Sequence, residues 1–345
     1  MTNKQNINIS TSTLLKIVAV ILLLYFAYLI LDILILLFVA LIIASLIDPL
    51  ADWFEKKKIW RGAAVLLIYA VVLGIFSLIF SLLVPIIISQ ASQLYNNFDA
   101  YWQKISLGFS FVKTLSLRFG VWENLQNDLP ATLKSGLGAV PSLIASLFNF
   151  FGGIFSLGLV LVIAYYLVVE EEGFKKALRS LAPSHFQPYL AQLWTRVKEK
   201  LGQWLAGTLF LGLVVGVISY VGLLVLGVQY ALLLGLTAGL FEMIPYAGPI
   251  FAGIVAVLLT FFQTGDWLKS LLVAALFIVI QQLENNFLVP KVMKRAVGLN
   301  PIISIVSLLI GFRLLGVVGA LLAIPVATVL SVIWSDVIEW RLKKD

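Results

Sequence analysis

Gly235-Leu-Thr-Ala-Gly239-Leu-Phe-Glu242-Met-Ile-Pro245-Tyr246-Ala-Gly248-Pro249-Ile-Phe-Ala252-Gly-Ile-Val-Ala-Val-Leu258 is the stretch that decides the fold. Two apolar, helix-compatible arms flank a break at residues 244–249, and Glu242 stands just before it. Each arm has about half of the roughly 20 residues a straight helix needs to cross a hydrocarbon core. Pro245 and Pro249 remove backbone donors, and Gly248 frees φ. The pattern predicts a re-entrant hairpin. Non-helical backbone at membrane depth is tolerated only where protein buries it or a wet cavity receives it. The tip, with Glu242, Pro245, Tyr246, Gly248 and Pro249, is therefore the expected transport site.

The surrounding composition agrees. Of 345 residues, 61% are hydrophobic and 12% charged, with a mean hydropathy of +1.05; a soluble domain is nearer half apolar and a quarter charged. The expected class is an all-α polytopic membrane protein whose surroundings are the lipid bilayer. The net charge of +7 needs no nucleic-acid partner, because Lys and Arg gather in the cytoplasmic loops of membrane proteins and no compact basic domain is present. The absence of cysteine excludes disulfides, thiol catalysis and Cys-ligated metal. The polar start, residues 1–13, lacks a basic n-region and a cleavage site, so the first apolar run is expected to remain as an anchor.

In order, residues 1–89 predict a scaffold of three spans, 14–31, 33–50 (ended by Asp48-Pro49) and 62–89, with Pro85 loosening the last turn. The basic loop Glu55-Lys56-Lys57-Lys58 and Arg61 is expected in the cytoplasm, and the amino terminus with it. Residues 90–140 are less apolar and rich in aromatic rings; they predict an extracytoplasmic or interfacial amphipathic arm, either packing or acting as a lid. Residues 141–200 predict a fourth span and a second basic cytoplasmic segment, in which His185 is read as a loop residue. Residues 201–345 predict the transport core: span 201–227, broken hairpin 228–262, span 267–288, and a second interrupted run, 301–334. Arg341, Lys343 and Lys344 follow that run, so it is expected to enter and leave on the inner side.

Gly239 to Ala252 aligns with Gly311 to Ala323 after one deletion, placing Gly239 on Gly311, Gly248 on Gly319 and Glu242 within one position of Arg313. Two span-plus-hairpin copies of opposite orientation are the pattern of a secondary transporter with a midplane site. About eight membrane segments are expected in all. Gly212-x-x-x-Gly216 and Gly235-x-x-x-Gly239 read as close-packing contacts.

Polar residues in the core supply the chemistry. Gln281, Glu284 and Asn285 fall on one helical face, beside Gln282 and Asn286. A central charge disfavours insertion by about 2.5–3.5 kcal/mol, and each Leu, Ile, Val or Phe offsets only about 0.3–0.6 kcal/mol. The span can carry Glu284, but a role or a partner is expected. Glu242 and Arg313, with Gly316 and Gly319 beside the second tip, are site candidates on the same ground. They form either a salt bridge locking the tips together or a site in which Arg313 draws an anionic or polyol group while a carboxylate exchanges a proton or cation. No ATP loop, dinucleotide fingerprint, metalloprotease motif or nucleophile elbow is present. An enzyme is not expected, nor is a metal or cofactor.

At Ile244-Pro-Tyr-Ala-Gly-Pro249, Gln281-Gln-Leu-Glu-Asn-Asn286, Pro290-Lys-Val-Met293, Val297-Gly-Leu-Asn-Pro301 and residues 316–325, the chain resembles the AI-2E family of bacterial permeases. The resemblance implies an inner-membrane, multi-pass permease with both termini cytoplasmic, assembling as a homo-oligomer, with a pentamer as the candidate form. Family members are linked to export of the signal autoinducer-2, and others to sodium or lithium extrusion against protons. The expected function is secondary transport of a small hydrophilic solute by alternating access. Na+(Li+)/H+ antiport is the alternative, and an oligomeric channel or scaffold without coupled transport is the alternative of another class.

Overall fold

The computed structural model describes residues 29–108, 134–135, 153–180, 182–245, 247–293 and 300–342, with a few isolated positions before residue 29. Tyr246, most of the expected span 14–31, most of the 90–140 arm, and Lys294, Arg295, Lys343 and Lys344 lie outside the described residues. Those described form helices: α1 (Leu31–Lys56), α2 (Arg61–Gly108), α3 (Gly153–Val169), α4 (Glu171–Ser180), α5 (Gln187–Val225), α6 (Ala231–Phe241), α7 (Ala247–Thr264), α8 (Trp267–Leu283), α9 (Val289–Met293) and α10 (Pro301–Leu342). A single π turn, Glu284–Leu288, joins α8 to α9. Among the described residues, five stretches are long and apolar enough to cross a membrane: Leu31–Lys56, Arg61–Leu78, Gln187–Val225, Trp267–Met293 and Ile302–Asp336. Three shorter apolar helices accompany them, so the described residues are those of an all-helical, multi-pass membrane protein.

Three sequence-based boundaries are corrected. Asp48-Pro49 does not end the second span; α1 runs through Pro49 to Lys56. A proline in a helix removes one bond, to the carbonyl four residues earlier, here that of Ser45. That carbonyl lies against Gly202 of α5, where any Cβ would collide with it. The missing donor thus falls where another helix covers the acceptor. The fall in hydropathy near residue 89 is not a helix end either, since α2 continues through Pro85 to Gly108. A change from lipid to a wetter surrounding alters which side chains are suitable, not the backbone ladder. Finally, α5 begins at Gln187, with Pro188 in its first turn, 14 residues before the apolar stretch at Leu201.

α5 is the organising element, packing against α1, α4, α6, α7, α8, α9 and α10. Its contact with α6 is backbone on backbone. A Cβ at Gly212 would lie 2.6 Å from the Gly239 carbonyl oxygen, and one at Gly235 would lie 2.9 Å from that of Gly216. The two small-x-x-x-small motifs face one another, as their spacing predicts. Around this seam sit Val215, Leu223, Leu234, Ala238, Ala252, Val273 and Phe277. A separate core of Ala40, Ala44, Val65, Val160, Ala164 and Val168 joins α1, α2 and α3. Outward, α5 exposes Phe210, Leu213, Val217, Val221 and Leu224 at helical spacing. An apolar exterior over a core that holds carboxylates suits hydrocarbon surroundings.

Both interrupted runs fold back on themselves. α6 ends at Phe241 and α7 begins at Ala247, with the arms packed together. In α10 the helix breaks at Leu315 and Gly316, the latter at φ 61° and ψ −142°, a region essentially reserved for glycine. Gly311 and Gly319 then touch, and a Cβ at Gly311 would lie 3.1 Å from that of Ala323. In a straight helix residues 311 and 323 would be about 18 Å apart, so the chain reverses at the break. Gly248 and Gly319, aligned by the repeat, each lie in the returning arm against the outgoing one. Gly319→Leu is expected to force the α10 arms apart and cost about 1–3 kcal/mol by overpacking, read as a lower thermal unfolding midpoint in detergent.

Candidate functional site

The α6–α7 break places Glu242 at the end of α6, with a residue exposure of 4%. Its Cβ lies 3.8 Å from where one would stand on Gly212, about 21 Å along α5 from Lys198 and about 20 Å from Val225. Glu242 is therefore midway along a span. Glu284 comes to meet it from α8. Ser270, Val273, Phe277, Ile280 and Glu284 are buried in turn at three- or four-residue spacing, so Glu284, 1% exposed, continues an inward stripe. The two carboxyl groups interact directly, within hydrogen-bonding reach of one another.

Gln281 completes the group, its Nε2 donating to Glu284 Oε2 at 3.3 Å. Three buried oxygens of this group, Glu242 Oε2, Glu284 Oε1 and Gln281 Oε1, have no hydrogen-bond partner among the described residues. Two ionised carboxylates in contact repel, whereas a pair holding one proton shares a hydrogen bond. Gly248 makes room for the arrangement, since a Cβ there would lie 2.6 Å from Glu242 Oε2 and would strike the Ala238 carbonyl. Gly248→Ala is expected to displace the Glu242 carboxyl at a cost of about 1–3 kcal/mol, measured as a lower unfolding midpoint together with reduced flux in proteoliposomes.

Of the residues singled out from sequence, the structure thus brings together Glu242, Gly248, Gln281 and Glu284, with Pro249 buried and Pro245 partly buried at the same break. Gln282, Asn285 and Asn286 are exposed, Asn285 lying in the π turn that follows α8 and not buried with Gln281 and Glu284, and Asn286 Nδ2 donates to Gln282 Oε1 at 3.1 Å. Arg313 and Gly316 lie at the α10 break. Arg313 is exposed and forms no ion pair among the described residues, so the structure holds no Glu242–Arg313 bridge. The partner of Glu242 is another carboxyl group.

A second charged cluster escaped the sequence reading. Lys198 of α5, 5% exposed, lies 2.7 Å from Asp48 Oδ2 of α1 and 3.1 Å from Glu171 Oε2 of α4. Arg61 of α2 reaches the same two acids at 2.6 and 3.4 Å, and its Nε donates to the Val168 carbonyl of α3 at 2.9 Å. Lys175 adds a contact to Glu171 at 3.0 Å. Burial opposes ionisation of Glu171, but Lys175 and Lys198 outweigh it and hold its carboxyl below the ordinary 4.5. The available signal was the helical stripe Lys198, Leu201, Thr208 and Gly212, which puts a lysine on a buried face.

A multi-pass helical bundle with broken helices and buried carboxyl groups at mid-span is the architecture of a membrane transport protein. The chain belongs to the AI-2E transporter family, whose model matches residues 17–339. Among its relatives, "Putative transport protein YueF" of Bacillus subtilis is 28% identical over 313 residues, covering 87% of this chain and 83% of that one. "Putative transport protein YrrI" of the same organism is 26% identical, covering 88% and 86%. "Putative permease PerM" of Escherichia coli is 26% identical, covering 87% of each.

Proposed function

We propose that the chain is a proton-coupled secondary transporter of the bacterial cytoplasmic membrane. It moves a small hydrophilic solute, of the kind autoinducer-2 represents, by alternating access. The observation that carries the reading is the Glu242–Glu284 contact midway along a span. A carboxyl pair there binds and releases a proton as the pathway opens to either side, and it sits at the break of a hairpin too short to cross the bilayer. The α6–α7 and α10 units are re-entrant in this reading, and the Lys56-Lys57-Lys58 end faces the cytoplasm, as the positive-inside rule requires. Arg313, Gly316 and Gly319 contribute at the second tip when the pathway opens.

The three unpartnered oxygens favour a second reading of the same site. An all-oxygen set suits a hard cation such as sodium or lithium, which would exchange with the shared proton. Proteoliposomes loaded with a pH-sensitive dye test both. Proton movement that needs an outward solute gradient supports solute coupling, and movement that needs only a sodium or lithium gradient supports antiport. A large, non-saturating conductance would overturn both in favour of a channel.

A further inference from the structure

The turn joining α1 to α2 has no part in the carboxyl pair, and its exposed residues follow an order. Along the last turns of α1, Leu50, Trp53 and Lys57 are exposed at three- and four-residue spacing and form one outward stripe. Along the first turns of α2, Trp60, Ala63, Leu67 and Val71 are exposed in the same way. One stripe leads into the turn and the other out of it, yet they agree. Each passes from aliphatic side chains to an indole, with lysine at the turn itself. Trp53 is 50% and Trp60 71% exposed. Both rings are seated: Lys57 Nζ stands 3.6 Å from the Trp53 ring centroid, and Trp60 folds back along α2, its ring 3.3 Å from where a Cβ would stand on Gly62.

The charge at this turn is one-sided. The acids in the last turns of α1, Asp48, Asp52 and Glu55, all face Arg61, at 2.6, 3.1 and 3.2 Å. Lys56, Lys57 and Lys58 are exposed and have no acidic partner among the described residues. Three ammonium groups thus stand unneutralised beside two indoles. Indole rings collect where a bilayer passes from acyl chain to headgroup, and each lysine near that level strengthens attraction to anionic lipid about fivefold. We propose that the α1–α2 turn is a binding surface for anionic phospholipid, with Lys56, Lys57 and Lys58 on the headgroup phosphate and Trp53 and Trp60 at the acyl boundary beneath it. A zwitterionic lipid fits less well, because its own ammonium would meet three others and finds the nearby acids taken by Arg61. A soluble polyanion would leave the indoles and the aliphatic stripes uncovered. Lysines at a helix C-terminus also offset its dipole, a role that a stability measurement separates from lipid binding.

Native mass spectrometry of the full chain in detergent, titrated with dioleoyl-phosphatidylglycerol or dioleoyl-phosphatidylcholine, tests the surface. Lys56→Gln/Lys57→Gln/Lys58→Gln is expected to lower the apparent affinity for phosphatidylglycerol about a hundredfold and to leave that for phosphatidylcholine within about twofold. The control, Lys176→Gln/Arg179→Gln/Lys291→Gln, removes the same charge from exposed positions on α4 and α9. It is expected to lower the phosphatidylglycerol affinity by less than about fivefold. An unchanged affinity in the first variant, or equal falls in both, would overturn the surface. So would a first variant that loses thermal stability in lipid-free detergent while keeping its preference for phosphatidylglycerol, since the lysines would then serve only the helix end. Soluble glycerophosphoglycerol binding as tightly as the lipid would overturn the assignment to lipid. Should the first variant not fold, a nitroxide at Trp60→Cys gives the answer in phosphatidylglycerol bilayers, where the label is unique because the chain has no native cysteine. Relaxation enhanced more by oxygen than by a water-soluble nickel chelate supports the surface. The reverse preference places the turn in water and removes it.

Discussion

Glu284→Gln is expected to bring coupled flux in proteoliposomes down to that of empty liposomes while leaving the protein folded. Glutamine keeps the size of the side chain and can still meet Glu242 and Gln281, the groups that face position 284. What it removes is the exchangeable proton. Because the substitution also removes a carboxyl group from mid-membrane, where each charge costs about 2.5–3.5 kcal/mol, the unfolding midpoint is expected to hold or rise. Glu242→Gln should behave alike, since the two carboxyls act as a unit and their effects will not add. The pairing of lost flux with retained stability is the decisive feature. Flux equal to wild type across the pH range would show that the pair is a packing device only.

Lys198→Met should do the opposite to stability. It leaves Asp48 with Arg61 alone and Glu171 with Arg61 and Lys175, and breaking a buried ion pair from one side costs about 3–5 kcal/mol. Thermal unfolding followed by tryptophan fluorescence would read this as a large drop in midpoint. The double variant Asp48→Asn/Lys198→Met should recover part of the loss, because the acid left with a single base is gone. Glu171 gives the pH sense. Its carboxyl lies below its ordinary value in the folded chain, so its stabilising contribution is complete at neutral pH and is lost as pH falls through that lowered value. In Lys198→Met the acid-induced loss should begin at higher pH than in wild type.

Much of the architecture is legible along the chain because lipid admits few backbone solutions. A segment such as residues 235–258, apolar yet cut by Pro245, Gly248 and Pro249, has to break, and the α6–α7 turn falls there. Gly212/Gly216 and Gly235/Gly239 announce a close helix contact because only residues without bulk let two backbones touch. Glu284 is readable as inward-facing from its three- and four-residue spacing to Ile280 and Phe277. The ends of α1 and α2 are not readable in this way, since Pro49 and Ser89 mark a change of environment while the helical ladder continues.

Which charge meets which is another matter. The repeat makes Glu242 and Arg313 equivalent in sequence, and opposite charges at equivalent positions invite a bridge. The fold instead carries Glu242 onto Gly212 and Glu284, and leaves Arg313 exposed at the other break. Asp48, Glu171 and Lys198 are likewise separated by 123 and 27 positions along the chain and meet only because α1, α4 and α5 converge at one end. Local pattern determines where a helix starts, bends and hides its polar face, because those choices are made over a few residues. Partnerships between helices depend on the path of the whole backbone, and only the packed structure decides them.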